Sequence, residues 1–115
     1  MLPMPTLFVP HGGGPWPWMA PMGPAGMMDP LRDYFRGLLD TLPRRPRAIL
    51  VISAHWEQPV PTVMTAQKPP MLYDYSGFPP NTYTITWPAP GAPELAERIQ
   101  EVLSSHHIGL SLIHI

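Results

Sequence analysis

The sequence predicts an α/β fold with a mostly parallel sheet flanked by helices. Two short apolar runs, residues 7–10 and 48–53, are bounded by proline, glycine and polar residues, as is typical of buried strands. The segment between them carries apolar residues at helical spacing, so the three segments together indicate a strand, a crossover helix and a parallel strand. At 115 residues, the chain is interpreted as one domain, residues 1–115.

The first apolar run leads directly into a histidine and three glycines. His11 follows residues 7–10, and Gly12, Gly13 and Gly14 come next. Glycine allows positive φ and a close approach of the backbone to a ligand. A short histidine–glycine motif is a weak signal, and a turn that only caps the core is the alternative.

A helix is predicted from Asp29 to Leu42. Asp29 is suited to the N-cap and Pro30 to the first helical position, and Pro43 ends the pattern. The arginines that follow are interpreted as solvated charges near the carboxyl end of the helix. The apolar residues at helical spacing are Leu31, Tyr34, Phe35, Leu38, Leu39 and Leu42.

The second apolar run also ends at a histidine. Residues 48–53 are apolar on both faces, which predicts an interior strand, and His55 and Trp56 follow. A lone histidine is more often a hydrogen-bonded core residue than a ligand. Because neighbouring parallel strands place their carboxyl ends at one ligand-binding edge, we expect His11 and His55 to face one crevice as candidate metal ligands.

The carboxyl-terminal part is predicted to contain three strands and one helix. Residues 60–65 indicate a more exposed strand, for which antiparallel pairing is considered, and residues 83–87 alternate like a strand. A helix is expected over residues 93–103 and a final strand over 108–113. The histidines at 106 and 107 are expected on the surface at the helix terminus.

Composition argues against several classes of partner. A net charge of −1 disfavours nucleic acid and anionic membrane surfaces. The chain has no cysteine, which excludes disulfides and thiolate chemistry and fits a cytoplasmic location. No apolar run is long enough to span a membrane.

Four segments together carry a family resemblance: His11-Gly12, residues 52–56, residues 73–79 and residues 87–91. In this order they resemble the class III, LigB-type extradiol ring-cleavage dioxygenases, and within them the 4,5-DOPA dioxygenase-like branch. The resemblance implies an α/β fold and a non-haem Fe(II) centre, with Zn(II) in some members. It also implies cleavage of a catechol-type, DOPA-like ring with O2.

Matched to the family motifs, His11 and His55 would be metal ligands. Gly12 and Gly13 would leave room for substrate, and Trp56 would help to wall an apolar pocket together with the aromatic loop at 73–79. No catalytic acid or base is identified in the chain.

The resemblance also implies a third ligand and an acid–base histidine, whose motifs the sequence does not contain. His106, His107 and His114 lie where the family does not place those residues. We therefore interpret residues 1–115 as an amino-terminal part of such a catalytic domain. The alternative is a catalytically inactive module that binds metal or self-associates through an open sheet edge. A metallohydrolase is disfavoured, because it would need paired carboxylates near the site for a second metal, and only Glu57 and Asp74 are candidates.

Overall fold

The computed structural model describes residues 2–19 and 23–114. Helices and a parallel sheet occur together in these residues, which confirms the predicted α/β class. In chain order the elements are α1 (Asp29–Gly37), a 3-10 helix (Leu38–Thr41), β1 (Thr62–Met64), a second 3-10 helix (Pro80–Thr84), α2 (Pro93–Ser105) and β2 (Ser111–Ile113).

The chain forms two compact units. The first unit comprises Met1–Ile49 and Tyr75–Ile85, and the second unit comprises Leu50–Asp74 and Thr86–Ile115. The interpretation of residues 1–115 as one catalytic domain stays a prediction. None of the helices in the described residues combines the length and apolar character that a membrane crossing requires.

In the first unit, α1 forms where helical spacing predicts it, with a different start. Met28 occupies the N-cap position without a side-chain hydrogen bond, so the prediction of Asp29 as N-cap is wrong. Asp29 instead lies in the first turn, where a carboxylate is favourable, and it accepts a hydrogen bond from Arg32 at 2.7 Å. The helix tightens into the 3-10 segment after Gly37, and Leu42 is extended, close to the predicted end.

The first unit also contains a cluster of aromatic rings. The ring of Tyr75 lies 5.5 Å from that of Phe78 and 5.2 Å from that of Tyr83, measured between centroids. The hydroxyl of Tyr75 donates to the carbonyl of Thr82, and Thr82 is fully buried. The cluster therefore ties the 3-10 helix at Pro80–Thr84 to the loop that precedes it.

The prediction of a strand at residues 83–87 is wrong, because hydrogen bonds between nearby residues replace the interstrand hydrogen bonds of a sheet. The backbone N–H of Thr82 donates to the carbonyl of Pro79 at 2.9 Å. The hydroxyls of Thr82 and Thr84 donate to the carbonyls three residues before them, at 2.7 and 2.8 Å. Threonine side chains that bond nearby carbonyls offer the backbone an alternative to a sheet, which an alternating pattern does not reveal.

The second unit is a strand–helix–strand arrangement. β1 and β2 pair in parallel, with Thr62 opposite Ser111 and Met64 opposite Ile113, and α2 connects them. The sequence therefore located both strands, although the pairing of the segment 60–65 is parallel rather than antiparallel. The N–H of Thr65 extends the ladder by donating to Ile113 at 2.9 Å.

Helix α2 confirms the predicted amphipathic helix and continues to Ser105. Pro93 and Glu94 occupy its first turn, where each is favoured, and Ala96 is buried. Its carboxyl end is closed by hydrogen bonds from the N–H of Ile108 to Leu103 and of His107 to Ser104. His107 has φ of 62°, the left-handed conformation of this terminal motif, and it is exposed as predicted.

The two apolar runs that were predicted as buried parallel strands do not form strands. Phe8 is fully exposed at 101%, and Ile49, Val51 and Ile52 are 62%, 68% and 91% exposed. Within the described residues, the sheet joins β1 only to β2. An apolar run indicates burial, but a strand also needs a hydrogen-bonded neighbour, and residues 7–10 and 48–53 have none in this sheet. Neither His11 nor His55 therefore follows a strand.

Candidate functional site

The turn that carries His11 lies in the first unit, and backbone hydrogen bonds join the residues that follow His11. The N–H of Trp16 donates to Gly13 at 3.3 Å, and that of Trp18 donates to Pro15 at 2.9 Å. The Nδ1 atom of His11 lies 2.8 Å from the carbonyl oxygen of Gly12. Because a carbonyl only accepts, Nδ1 carries the proton in this contact.

Two of the three glycines are required by the packing of this turn. A Cβ at Gly12 would lie 2.8 Å from ring atoms of Trp16. Gly14 has φ of +49°, and a Cβ there would fall on the ring of Phe78. The aromatic loop predicted to wall a pocket thus contacts the glycine turn through Phe78, within the first unit.

A cavity of about 240 Å³ opens beside His11. This volume is below the roughly 300–1,000 Å³ of sites for drug-sized ligands. Its walls are mostly apolar and combine the histidine turn with the methionine-rich loop that follows: His11, Gly12, Gly13, Trp16, Met19, Met27 and Met28.

His55 lies in the second unit and is held at two points. Its Nδ1 lies 3.0 Å from Oδ2 of Asp74, and the two side chains are 59% and 46% exposed. Its backbone N–H donates to Oγ of Ser53 at 3.1 Å. Trp56 beside it is half-buried. The roles of Trp56, Gly12 and Gly13 toward a substrate stay predictions.

From the sequence, Asp74 is considered only as a candidate carboxylate of the disfavoured metallohydrolase, and no contact with His55 is predicted. It lies between two tyrosines in the motif at 73–79, and a carboxylate inside an aromatic loop is the signal that could have identified it. Its contact with His55 joins two of the four family segments.

Both histidine rings make a contact of the kind that accompanies metal-binding histidines. Each Nδ1 faces an oxygen acceptor, which is the carbonyl of Gly12 for His11 and the carboxylate of Asp74 for His55. Metal-binding histidines typically donate their second ring N–H to such an acceptor, which fixes the ring. Within residues 2–19 and 23–114, no group of three histidine or carboxylate side chains is arranged to hold a metal. The assignment of His11 and His55 as ligands stays a prediction.

Comparisons with known proteins connect this chain to one enzyme family. The family model described as the catalytic LigB subunit of aromatic ring-opening dioxygenase matches residues 6–114. No solved structure gives a match.

Among curated proteins, "Dioxygenase tasH" of Hapsidospora irregularis is 36% identical, with 91% of this chain and 33% of the relative covered. The "4,5-DOPA dioxygenase extradiol" of Escherichia coli (strain K12) is 40% identical, with 88% of this chain and 34% of the relative covered. The protein of the same name in Portulaca grandiflora is 45% identical, with 56% of this chain and 24% of the relative covered.

The chain thus spans about a third or less of the length of the curated relatives that it matches. The family match, by contrast, extends over nearly all of the chain and includes all four segments that carry the resemblance. It confirms the LigB-type resemblance inferred from the motifs. The chain belongs to the family of the catalytic LigB subunit of aromatic ring-opening dioxygenases.

Proposed function

We propose that this chain provides part of the active site of an enzyme that cleaves a catechol-type, DOPA-like ring by extradiol chemistry with O2. The observation that carries the proposal is the family match over residues 6–114. Relatives named "4,5-DOPA dioxygenase extradiol" in several organisms support the class of substrate. The proposed location is the cytoplasm, which the absence of cysteine supports.

In this proposal, His11 and His55 are two ligands of a non-haem Fe(II), for which Zn(II) can substitute. The acceptors at the two Nδ1 atoms support coordination through Nε2 in both rings. Two imidazoles suit iron and zinc alike, so they leave the choice of metal open. The family resemblance implies a third ligand and an acid–base histidine, and residues 1–115 contain the motif of neither.

When bound, the metal supplies adjacent positions for a deprotonated catechol and O2. Gly12 and Gly13 line the cavity beside His11, and this cavity is the proposed place at which a planar ring approaches the imidazole. Trp16 and the methionines of the cavity give an apolar surface against which the ring can pack and from which water is displaced. Trp56 is a further proposed contact of the substrate.

A second candidate is a catalytically inactive module that binds metal or self-associates. The exposed apolar residues of the run 49–52 favour it, as do the outer edges of β1 and β2, to which no further strand of residues 2–19 and 23–114 is paired. Unpaired strand edges and contiguous apolar surface both promote pairing with a second copy of the chain.

A ring-opening assay separates the two candidates. The chain is loaded with Fe(II) without oxygen and then mixed with L-DOPA and O2, while O2 uptake and the visible absorbance of the ring-opened product are followed. Turnover by residues 1–115 alone predicts O2 uptake in step with product, loss of both in His11→Ala and His55→Ala, and retention in His114→Ala, an exposed histidine that belongs to none of the four family segments.

Metal binding without ring opening would contradict turnover by this chain and favour the inactive module. Light scattering then tests self-association, since a monodisperse monomer over a wide range of concentrations would exclude that part of the second candidate.

A further inference from the structure

We propose that Asp74 is a positioning residue for His55, which holds the imidazole in the tautomer and orientation that present Nε2 to a metal. The inference rests on the proposed function, because it takes His55 to be a ligand. It gives Asp74 a role toward His55 that the sequence alone did not indicate.

The geometry of the contact determines which nitrogen carries the proton. Nδ1 of His55 lies 3.0 Å from Oδ2 of Asp74. An ionised carboxylate only accepts hydrogen bonds, so Nδ1 is the donor. A neutral imidazole has a single N–H proton. Because Nδ1 carries that proton, Nε2 keeps a lone pair, and this lone pair is the one that binds a metal.

The surroundings of the pair support positioning over a role in stability. The side chains of His55 and Asp74 are 59% and 46% exposed, and exposed ion pairs contribute little to folding stability. The backbone N–H of His55 also donates to Oγ of Ser53, which is a local restraint on the main chain at the same residue. The carboxylate therefore adds a constraint on the ring in a segment whose backbone is already held.

The His11 ring has an equivalent acceptor, but it is the backbone carbonyl of Gly12, which no substitution removes. Asp74 is thus the position at which this arrangement can be tested. Glu57 provides a matched control, because it is an exposed carboxylate two residues after His55 in the sequence.

The test combines Zn(II) calorimetry with NMR of the metal-free chain. Asp74→Ala is expected to weaken Zn(II) binding by about 10- to 100-fold. Asp74→Asn is expected to have an intermediate effect, since its amide oxygen can still accept from Nδ1. Glu57→Gln, which also removes one negative charge, is expected to leave the affinity unchanged. Circular dichroism verifies that each variant keeps its helices.

Long-range proton–nitrogen spectra report the tautomer of His55 directly. The wild-type ring is expected to carry its proton on Nδ1 at a pH where it is neutral, and Asp74→Ala is expected to shift it toward Nε2. A role in folding alone would not move this signal.

The outcomes separate the two levels of the proposal. If His55→Ala abolishes Zn(II) binding while Asp74→Ala changes neither affinity nor tautomer, the positioning role is overturned and the proposed function stands. If binding does not respond to His55→Ala, the proposed function is overturned, and the positioning role falls with it.

Discussion

Replacing Gly14 by alanine is expected to destabilise the first unit through two separable effects. The residue has φ of +49°, a left-handed conformation that costs roughly 1–2 kcal/mol for a residue with a Cβ. The new Cβ would also fall on the ring of Phe78, and overpacking of this kind costs about 1–3 kcal/mol. The sum is about 2–5 kcal/mol.

Two other glycines separate these effects. Gly77 has φ of +77° and no neighbouring atom within 4 Å of a Cβ. Gly77→Ala should therefore cost only the roughly 1–2 kcal/mol of the left-handed conformation. Gly37 has φ of −87° and equally open surroundings, so Gly37→Ala should be neutral or stabilising by about 0.4–1 kcal/mol. The difference between Gly14→Ala and Gly77→Ala then measures the packing against Phe78.

Urea unfolding followed by tryptophan fluorescence and circular dichroism provides the free energies, with equal m-values as the condition for comparing variants. Adding Phe78→Leu to Gly14→Ala should cost less than the two single changes together, because the smaller side chain relieves the overlap. The reasoning is refuted if Gly14→Ala destabilises the protein no more than Gly77→Ala.

Two further predictions concern the second unit. Gly91→Ala should lower the free energy of unfolding by about 1–3 kcal/mol, because its Cβ would meet the carbonyl oxygen of Ala66. Gly109→Ala should not lower it, because no atom lies within 4 Å of a Cβ there. Equal urea midpoints of the two variants would contradict this prediction. His107→Gly should raise the free energy of unfolding by about 1 kcal/mol, since glycine adopts the left-handed φ of 62° without strain. A thermal melting temperature that is unchanged or lower in His107→Gly would show that this conformation carries no such cost.

The helices could be predicted because their signals are local. In α2, proline and glutamate at the start and apolar residues at helical spacing lie within a few turns of one another. For α1 the same signals gave the helix but not its N-cap, since a carboxylate at Asp29 is favourable both as a cap and in the first turn. In the structure Asp29 lies in the first turn, where it pairs with Arg32.

The strands were harder to predict, because pairing depends on distant parts of the chain. Residues 48–53 are apolar enough for an interior strand, yet the sheet pairs β1 with β2 and leaves this run exposed. The segments 60–65 and 108–113 have weaker patterns, and they form the sheet because α2 returns the chain in parallel. Pattern alone does not identify the partner of a strand.

The motifs that carry the candidate residues could be recognised in the sequence, but the contacts of these residues could not be predicted from it. His11 and His55 stand out because each ends an apolar run and belongs to a family segment. The expected strand ends are absent, and the rings are held instead by the carbonyl of Gly12 and the carboxylate of Asp74. The second of these contacts joins segments that are distant in the sequence, so no local pattern could reveal it.

The central claim, that His11 and His55 provide a metal site, is tested most directly by titrating the anaerobically purified chain with Fe(II) and, in parallel, with Zn(II) by calorimetry. We expect binding on the order of micromolar or tighter, abolished by His11→Ala and by His55→Ala and retained in His114→Ala. The claim would be contradicted by no binding, or by binding that survives both of the first two substitutions and is lost with the third.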